Sequence, residues 1–140
     1  LEDIPDIYRI ELLCFNDPWD YKAMIEMMTL YLTSFYVAEA DGRIVGFSAG
    51  AIEDTDEEKY GHVCNIAVTP EMRGFGIGRL LLRRVERDFF LEGCRACSLE
   101  VRKSNTNAHG FYERLDYEDV LVFGGYYSDG EDAVVMMRWF

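Results

Sequence analysis

Apolar residues along this chain recur at two spacings, and the spacing predicts which segments are helices and which are strands. Residues 3–14 and 21–32 carry apolar residues three and four positions apart, as in helices with one buried face. The segment between them contains Pro18 and is predicted to be a loop. A third helix is predicted over residues 77–91, with a core face marked by apolar residues four apart: Leu81, Val85 and Phe89.

Strand-like runs occupy most of the remaining chain. The first two, within residues 34–53, are joined at Asp41 and Gly42, a dipeptide typical of tight hairpin turns. Asn105 is predicted to cap a fourth helix over residues 105–115. Further strands are predicted at residues 60–69, 96–103, 117–127 and 132–140. The order ααβββαβαββ indicates an α/β (α+β) fold with a mixed, mostly antiparallel sheet flanked by helices.

The charge balance limits the kinds of ligand that this chain can bind. Its formal net charge is −12 at pH 7, so we expect no nucleic acid and no anionic membrane among its partners. No apolar run approaches the roughly 18 residues that a membrane helix needs. Any anionic ligand must therefore be held by a local basic site.

Four cysteines are too few and too irregularly placed to indicate a disulfide framework. Cys94 and Cys97 form a lone C-x-x-C motif, which is weak support for structural zinc or for a redox pair without a second pair or a histidine nearby in sequence. We therefore expect packed, reduced thiols and no bound metal. A reducing cytoplasm is the expected compartment.

One local basic site is present. From Arg73 to Arg79, three glycines and two arginines fall within seven residues, between a predicted strand and a predicted helix. The first N–H groups of a helix lack partners inside the helix, and the helix dipole is positive at that end, so this turn suits a phosphate. Neither the P-loop pattern nor the dinucleotide fingerprint fits its spacing. A glycine-rich turn with solvated arginines is the alternative interpretation, and a dinucleotide-binding domain is a weaker one.

Three stretches of the sequence resemble one family. Residues 68–82, "VTPEMRGFGIGRLLL", are similar to the acetyl-coenzyme A pyrophosphate loop of the GCN5-related N-acetyltransferase (GNAT) family. Residues 99–118, "LEVRKSNTNAHGFYERLDYE", resemble its protein N-terminal acetyltransferase branch, especially RimI-like enzymes and the catalytic subunit of the A-type complex. Residues 125–136, "GYYSDGEDAVVM", are similar to the peptide-side loop of that subunit. The resemblance implies one GNAT domain over residues 1–140, with the family's usual first strand expected before residue 1.

The resemblance also implies a reaction, in which an amine attacks the thioester of the co-substrate acetyl-coenzyme A directly within a ternary complex. A free α-amine has a pKa of about 8 and a lysine of about 10.4, so an N-terminal amine is the easier nucleophile for a mild base. By resemblance Glu100 takes the place of the base, with His62 as an open alternative, and Tyr112 takes the place of the general acid. Glu100 lies mid-strand and is predicted to point away from the face shared by Leu99 and Val101.

The remaining site residues are also implied by the resemblance. Those assigned to the coenzyme lie on a strand, in the glycine turn and around the fourth helix: Ile66, Ala67, Val68, Arg73, Gly74, Phe75, Gly76, Ile77, Gly78, Arg79, Asn105 and Tyr112. The Val68 N–H is the expected oxyanion donor. Those assigned to a peptide substrate lie in two loops: Phe15, Asp17, Trp19, Tyr126 and Tyr127.

The expected partners are protein or peptide N-termini, with an auxiliary subunit or the ribosome as further candidates. Two alternatives stay open: a GNAT enzyme that acts on lysine or a small amine, and a non-catalytic acetyl-coenzyme A-binding interaction subunit. The presence of Glu100 and Tyr112 together favours an enzyme.

Overall fold

The computed structural model describes residues 3–14, 21–30 and 32–140, apart from the side chains of residues 27–30. Its elements follow one another as α1 (Ile4–Cys14), α2 (Tyr21–Leu30), β1 (Ser34–Ala40), β2 (Arg43–Asp54), β3 (Lys59–Val68), α3 (Ile77–Leu91), β4 (Ala96–Arg102), α4 (Thr106–Arg114), β5 (Glu118–Phe123) and β6 (Ala133–Trp139). The predicted order ααβββαβαββ is confirmed. Within the described ranges, no helix is long and apolar enough to cross a membrane.

Six strands form one sheet in the order β1-β2-β3-β4-β6-β5. Every neighbouring pair is antiparallel except β3 and β4, so the predicted mixed, mostly antiparallel sheet is confirmed. The parallel pairing is short and joins residues 60–62 to residues 96–98. Beyond it the two strands separate, and a gap opens between residues 63–68 of β3 and 99–102 of β4. We call this gap the cleft.

The turn between β1 and β2 has the geometry that its sequence predicts. Asp41 has a φ of 53° and Gly42 a φ of 77°. Positive φ at both central residues defines a type I′ turn, whose twist matches that of two paired antiparallel strands. The predicted hairpin is therefore confirmed.

Helix α3 packs on one face of the sheet through the residues that the sequence periodicity selects. Leu81, Val85 and Phe89 are all 5% exposed or less, as predicted. The Phe89 ring fills space that two strand glycines leave open: an added Cβ would lie 2.2 Å from it at Gly61 and 2.7 Å from it at Gly50. The absence of side chains at these two positions therefore brings α3 close to β2 and β3.

Helix α1 covers the opposite face of the sheet. Ile7 and Ile10 of α1 form a buried cluster with Phe47 of β2 and Ala67 of β3. The sheet thus has a helix layer on each face, with α3 on one side and α1 on the other. The cleft lies between these two layers.

The side chains of β3 switch from one face of the sheet to the other partway along the strand. Val63 belongs to the core under α3, whereas Ala67 belongs to the core under α1. The change occurs at Cys64, a β-bulge residue that the pairing with β2 skips. The register on either side is explicit: Ala49 pairs with Asn65 and Gly50 with Val63. The bulge lies where the cleft begins.

We predict that Gly61→Ala destabilises the fold by about 1–3 kcal/mol, because the new methyl group overpacks a ring that has no room to move. Phe89 is 0% exposed, so it is held on every side. Denaturant unfolding monitored by circular dichroism measures the effect. Gly124→Ala is the matched control, since an added Cβ there meets only Asp132 at an ordinary 3.8 Å. Equal stabilities of the two variants would contradict the packing described here.

Candidate active site

The cleft opens into two cavities, of about 260 Å³ and about 570 Å³. The smaller cavity lies between the middle parts of β3 and β4, and the larger cavity lies at the start of α3. Four residues line both: Ile66, Asn105, Ala108 and Tyr112. The two cavities therefore meet in the cleft, and a ligand that fills the larger one can reach the smaller one.

The larger cavity has the features of an anion site. Gly74 and Gly76 have φ of 88° and 81°, a region that L side chains rarely adopt. The Leu80 N–H donates to the carbonyl of Gly76, which is the first i to i−4 hydrogen bond of α3. The N–H groups of Ile77, Gly78 and Arg79 come before this bond. These amides border the cavity at the positive end of a 15-residue helix. Such an arrangement favours a phosphate group.

The residues of the glycine turn do not contribute equally. Arg79 lines the larger cavity, whereas Phe75 is 73% exposed and lies outside its lining. Arg73 borders the cavity but is already bonded to protein: its Nε donates to the Val68 carbonyl at 3.1 Å and its Nη2 to the Cys14 sulfur at 3.5 Å. Arg73 therefore fastens the turn to the ends of β3 and α1, and Arg79 is the better placed cation for an anionic ligand.

The register between β2 and β3 determines which backbone groups face the cleft. The Thr69 N–H donates to the Val45 carbonyl at 2.8 Å, and the positions before Thr69 are paired in register with β2. Hydrogen-bonded positions alternate along an antiparallel pair. Ala67 therefore bonds to β2, while Ile66 and Val68 direct their N–H and C=O groups into the cleft. The expected role of the Val68 N–H as oxyanion donor stays a prediction, and Ala67 is limited to forming the cavity wall.

Glu100 and His62, the two alternatives for the base, form one contacting pair. Leu99 and Val101 lie in the core under α3, and Glu100 points to the other face, as predicted. There its carboxylate oxygens lie 2.7 Å and 3.0 Å from His62 Nε2. Both side chains are about three-quarters buried and lie at the start of the cleft.

The environment of His62 keeps its ring charged at neutral pH. Hydrogen bonding to the Cys64 sulfur, and then to the carboxylate of Glu100, raises the pKa of His62 from 6.5 to about 10. An imidazolium has no free lone pair with which to accept a proton. Glu100 is therefore the member of the pair that is able to act as a base at pH 7, and His62 holds it in place.

Tyr112 stands where the two cavities meet. It lies on α4, is 9% exposed, and packs in the core under α3. Burial raises the pKa of its phenol, so the hydroxyl stays protonated and available as a donor. Asn105 stands beside it: its Oδ1 accepts a hydrogen bond from the Ala108 N–H at 3.1 Å, which confirms the predicted helix cap. This bond leaves the Nδ2 group of Asn105 for a ligand in the cleft.

Arg102 fixes the loop that carries the predicted peptide-side tyrosines. Its guanidinium bonds to Asp129 at 2.8 Å and to Glu131 at 3.0 Å, and its Cζ lies 4.1 Å from the centre of the Tyr127 ring. Tyr127 lines the smaller cavity, and burial raises its pKa to about 12. Tyr126 packs edge-on against Tyr127, with 5.0 Å between ring centres. Tyr127 thus lies in the smaller cavity, and Tyr126 packs beside it, outside the lining.

The other three predicted peptide-side residues, Phe15, Asp17 and Trp19, lie outside the described residues, and their role stays a prediction.

Sequence reasoning missed several polar residues of the smaller cavity, among them Glu11 and Asn65. Glu11 is 2% exposed on α1, and its Oε1 accepts a hydrogen bond from Asn65 Nδ2 at 2.6 Å. A signal was present, because Glu11 follows Ile7 by four positions and so falls on the buried face of its helix. A carboxylate on such a face needs polar partners, and it marks a polar pocket beneath the helix.

Comparison with known proteins gives consistent matches. The model of the acetyltransferase (GNAT) family matches residues 4–117. An uncharacterized N-acetyltransferase of Methanocaldococcus jannaschii is 38% identical over 138 residues, which cover 98% of this chain and 86% of the relative. An N-alpha-acetyltransferase of Saccharolobus solfataricus is 35% identical over 150 residues, which cover 99% and 88%. The crystal structure of the ribosomal-protein-S18-alanine N-acetyltransferase from Escherichia coli matches with a TM-score of 0.85 at 28% identity and covers 99% of this chain and 88% of that one.

We predict that the His62 ring titrates near pH 10 in the folded chain and that Glu100→Gln moves its pKa toward 6.5. Histidine ring signals in NMR spectra measure both pKa values. The His109→Gln variant shows which of the signals belong to His62. Because the folded pKa lies above the unfolded one, the charged ring stabilises the fold fully below about pH 6.5. That contribution falls as the pH rises and is lost above about pH 10. A wild-type His62 that titrates near 6.5 would contradict the ion pair.

Proposed function

This chain belongs to the acetyltransferase (GNAT) family, as its sequence predicts, and from that premise we propose that it transfers the acetyl group of acetyl-coenzyme A to the α-amine at the N-terminus of a protein or peptide. One observation carries the proposal. Glu100 and Tyr112 lie on opposite faces of the sheet, and both border the cleft. A base on one side of a thioester and an acid on the other is what direct attack by an amine requires.

The coenzyme belongs in the larger cavity. Its diphosphate is held by the free amides at the start of α3 and by Arg79. From there the pantetheine arm enters the cleft and bonds to the exposed backbone groups of Ile66 and to Asn105 Nδ2. This path brings the thioester to the place where the two cavities meet.

The thioester is activated by two hydrogen-bond donors. The Val68 N–H points into the cleft and stabilises the oxygen that becomes negatively charged when the carbonyl carbon is attacked. Tyr112 donates to the sulfur, and its proton passes to the thiolate as the carbon–sulfur bond breaks. Since burial raises the pKa of Tyr112, the phenol does not lose this proton before the reaction.

The amine enters from the smaller cavity. Its nitrogen forms the bond to the carbonyl carbon, and the proton that it releases passes to Glu100, directly or through one water. His62 holds the carboxylate in position. About one α-amine in ten is already neutral at pH 7, so a carboxylate that passes the proton on to solvent is a sufficient base.

The substrate is an α-amine for two reasons. Fewer than about one lysine in a thousand is neutral at pH 7, so a lysine needs a much stronger base than a charged carboxylate. The relative from Saccharolobus solfataricus is named an N-alpha-acetyltransferase, and the one from Escherichia coli is named for N-acetylation of an alanine of ribosomal protein S18. Tyr126 and Tyr127 supply flat apolar surfaces with hydroxyl groups, which suit a peptide backbone.

We further propose that the reaction takes place in the cytoplasm, where acetyl-coenzyme A and new N-termini are both present. The ribosome or an auxiliary subunit is a candidate partner, because the E. coli enzyme is named for a ribosomal protein.

The function predicts activity on a peptide with a free N-terminus and none on a peptide whose N-terminus is blocked and whose lysine is free. Steady-state acetylation of peptides that differ only at the first residue measures this. A lysine-free peptide with a free α-amine is the matched control for α-amine transfer. Activity confined to the blocked peptide would favour the lysine alternative, and coenzyme binding without any turnover would favour the non-catalytic one.

We predict that Glu100→Gln and Tyr112→Phe each lower kcat by about 100-fold or more, the usual range for an acid or base. Acetyl-coenzyme A affinity, measured by calorimetry, stays within a few-fold of the wild-type value, because both variants keep the amides at the start of α3 and Arg79. Glu53→Gln and Tyr60→Phe are matched controls, since both residues lie on paired strands away from the cleft. Normal turnover in either cleft variant would show that its assigned role is wrong.

A further inference from the structure

Cys64 has no part in the mechanism above, yet it lines the same cavity as Glu100. It is the bulge residue of β3 and is half-buried. Its sulfur lies 3.6 Å from His62 Nδ1 and 3.6 Å from the His62 carbonyl oxygen. The bulge turns this thiol toward the cleft.

The three side chains form a chain of contacts: Cys64 sulfur, His62 ring, Glu100 carboxylate. A thiol beside an imidazole whose other nitrogen bonds to a carboxylate is the arrangement that activates nucleophiles in proteins. Each member has its own contact, because the carboxylate bonds to Nε2 and the sulfur to Nδ1. The sulfur thus contacts a positively charged ring directly, and that charge stabilises negative charge that develops on the sulfur during a reaction.

The other three cysteines differ from Cys64 in their surroundings. Cys94 and Cys97 are 4% and 0% exposed, and burial raises the pKa of both thiols. Cys14 is half-buried in the larger cavity, where its sulfur donates to the Val68 carbonyl at 3.4 Å. Burial raises the pKa of Cys14 as well. None of these three contacts a histidine in the described part of the chain.

We propose that Cys64 is a nucleophilic thiol that soft electrophiles and small disulfides modify covalently, and that its modification closes the amine side of the active site. The second half of this proposal rests on the proposed function. The smaller cavity has a volume of about 260 Å³, so an added group on Cys64 competes with a substrate amine for the space beside Glu100 and Tyr127.

The chemistry with a small disulfide is thiol–disulfide exchange. Cys64 first loses its proton to water, and the adjacent imidazolium stabilises the thiolate. The thiolate attacks one sulfur of the disulfide, so that a Cys64–sulfur bond forms and the sulfur–sulfur bond of the reagent breaks. The second half of the reagent leaves as a thiolate and takes a proton from water. A reducing thiol reverses the exchange.

Alkylation by iodoacetamide, followed by mass spectrometry of each cysteine-containing peptide, tests the thiol without any assay of activity. Because the positively charged His62 ring contacts the Cys64 sulfur and no histidine contacts Cys14 in the described part of the chain, we expect Cys64 to react about ten-fold faster than Cys14 or more. His62→Gln lowers the Cys64 rate about ten-fold and leaves the Cys14 rate unchanged. Equal rates at the two cysteines, or a Cys64 rate that His62→Gln does not change, would overturn the proposal.

Treatment with glutathione disulfide tests the closing of the site. We compare the wild type, Cys64→Ser and Cys14→Ser, each as a fraction of its own untreated turnover. The wild type and Cys14→Ser lose turnover in proportion to Cys64 modification and regain it with dithiothreitol. Cys64→Ser keeps its untreated turnover. Full modification of Cys64 with no loss of turnover would overturn this half of the proposal. If no form turned over any peptide, the proposed function would fail, and the alkylation rates would still decide the reactivity of Cys64.

Discussion

The separation of β3 from β4 is the constraint on which the rest of the molecule depends. The strands pair at residues 60–62 and 96–98 and then part, although each continues along its other neighbour. Backbone groups that face a paired strand are satisfied, whereas those that face a gap need water or a ligand. The gap therefore turns the middle of a sheet into a binding surface, onto which Ile66 and Val68 direct their amides and carbonyls. It also joins the two faces of the sheet, so that Glu100 from one face and Tyr112 from the other border the same space.

Charge is distributed so that an acidic chain can hold an anion. The chain carries a net charge of −12, and the attraction comes from the partial charges at the start of α3, with Arg79 beside them. Arg73 was also predicted from the sequence to bind the anion, but its guanidinium instead bonds the glycine turn to β3 and α1. In the smaller cavity the opposite arrangement holds, because the charge that Glu100 brings into a largely buried site lies against the positive charge of His62.

Local patterns were sufficient to predict the elements and part of the site. The helix at 77–91, the hairpin at Asp41 and Gly42 and the orientation of Glu100 all follow from spacing or turn chemistry within a few residues. What the sequence did not reveal depends on how distant segments meet. The His62–Glu100 contact joins residues 38 positions apart, and the orientation of Cys64 depends on a single skipped position in the β2–β3 register. Neither leaves a periodic signal, because register is decided by packing on both faces of the sheet.

The central claim is that the coenzyme spans the cleft from the start of α3 to Tyr112. A crystal structure with bound acetyl-coenzyme A tests it most directly. The account predicts the diphosphate on the amides of Ile77, Gly78 and Arg79 and the thioester between Val68 N–H and the Tyr112 hydroxyl. A diphosphate bound away from α3, or a thioester outside the cleft, would contradict it.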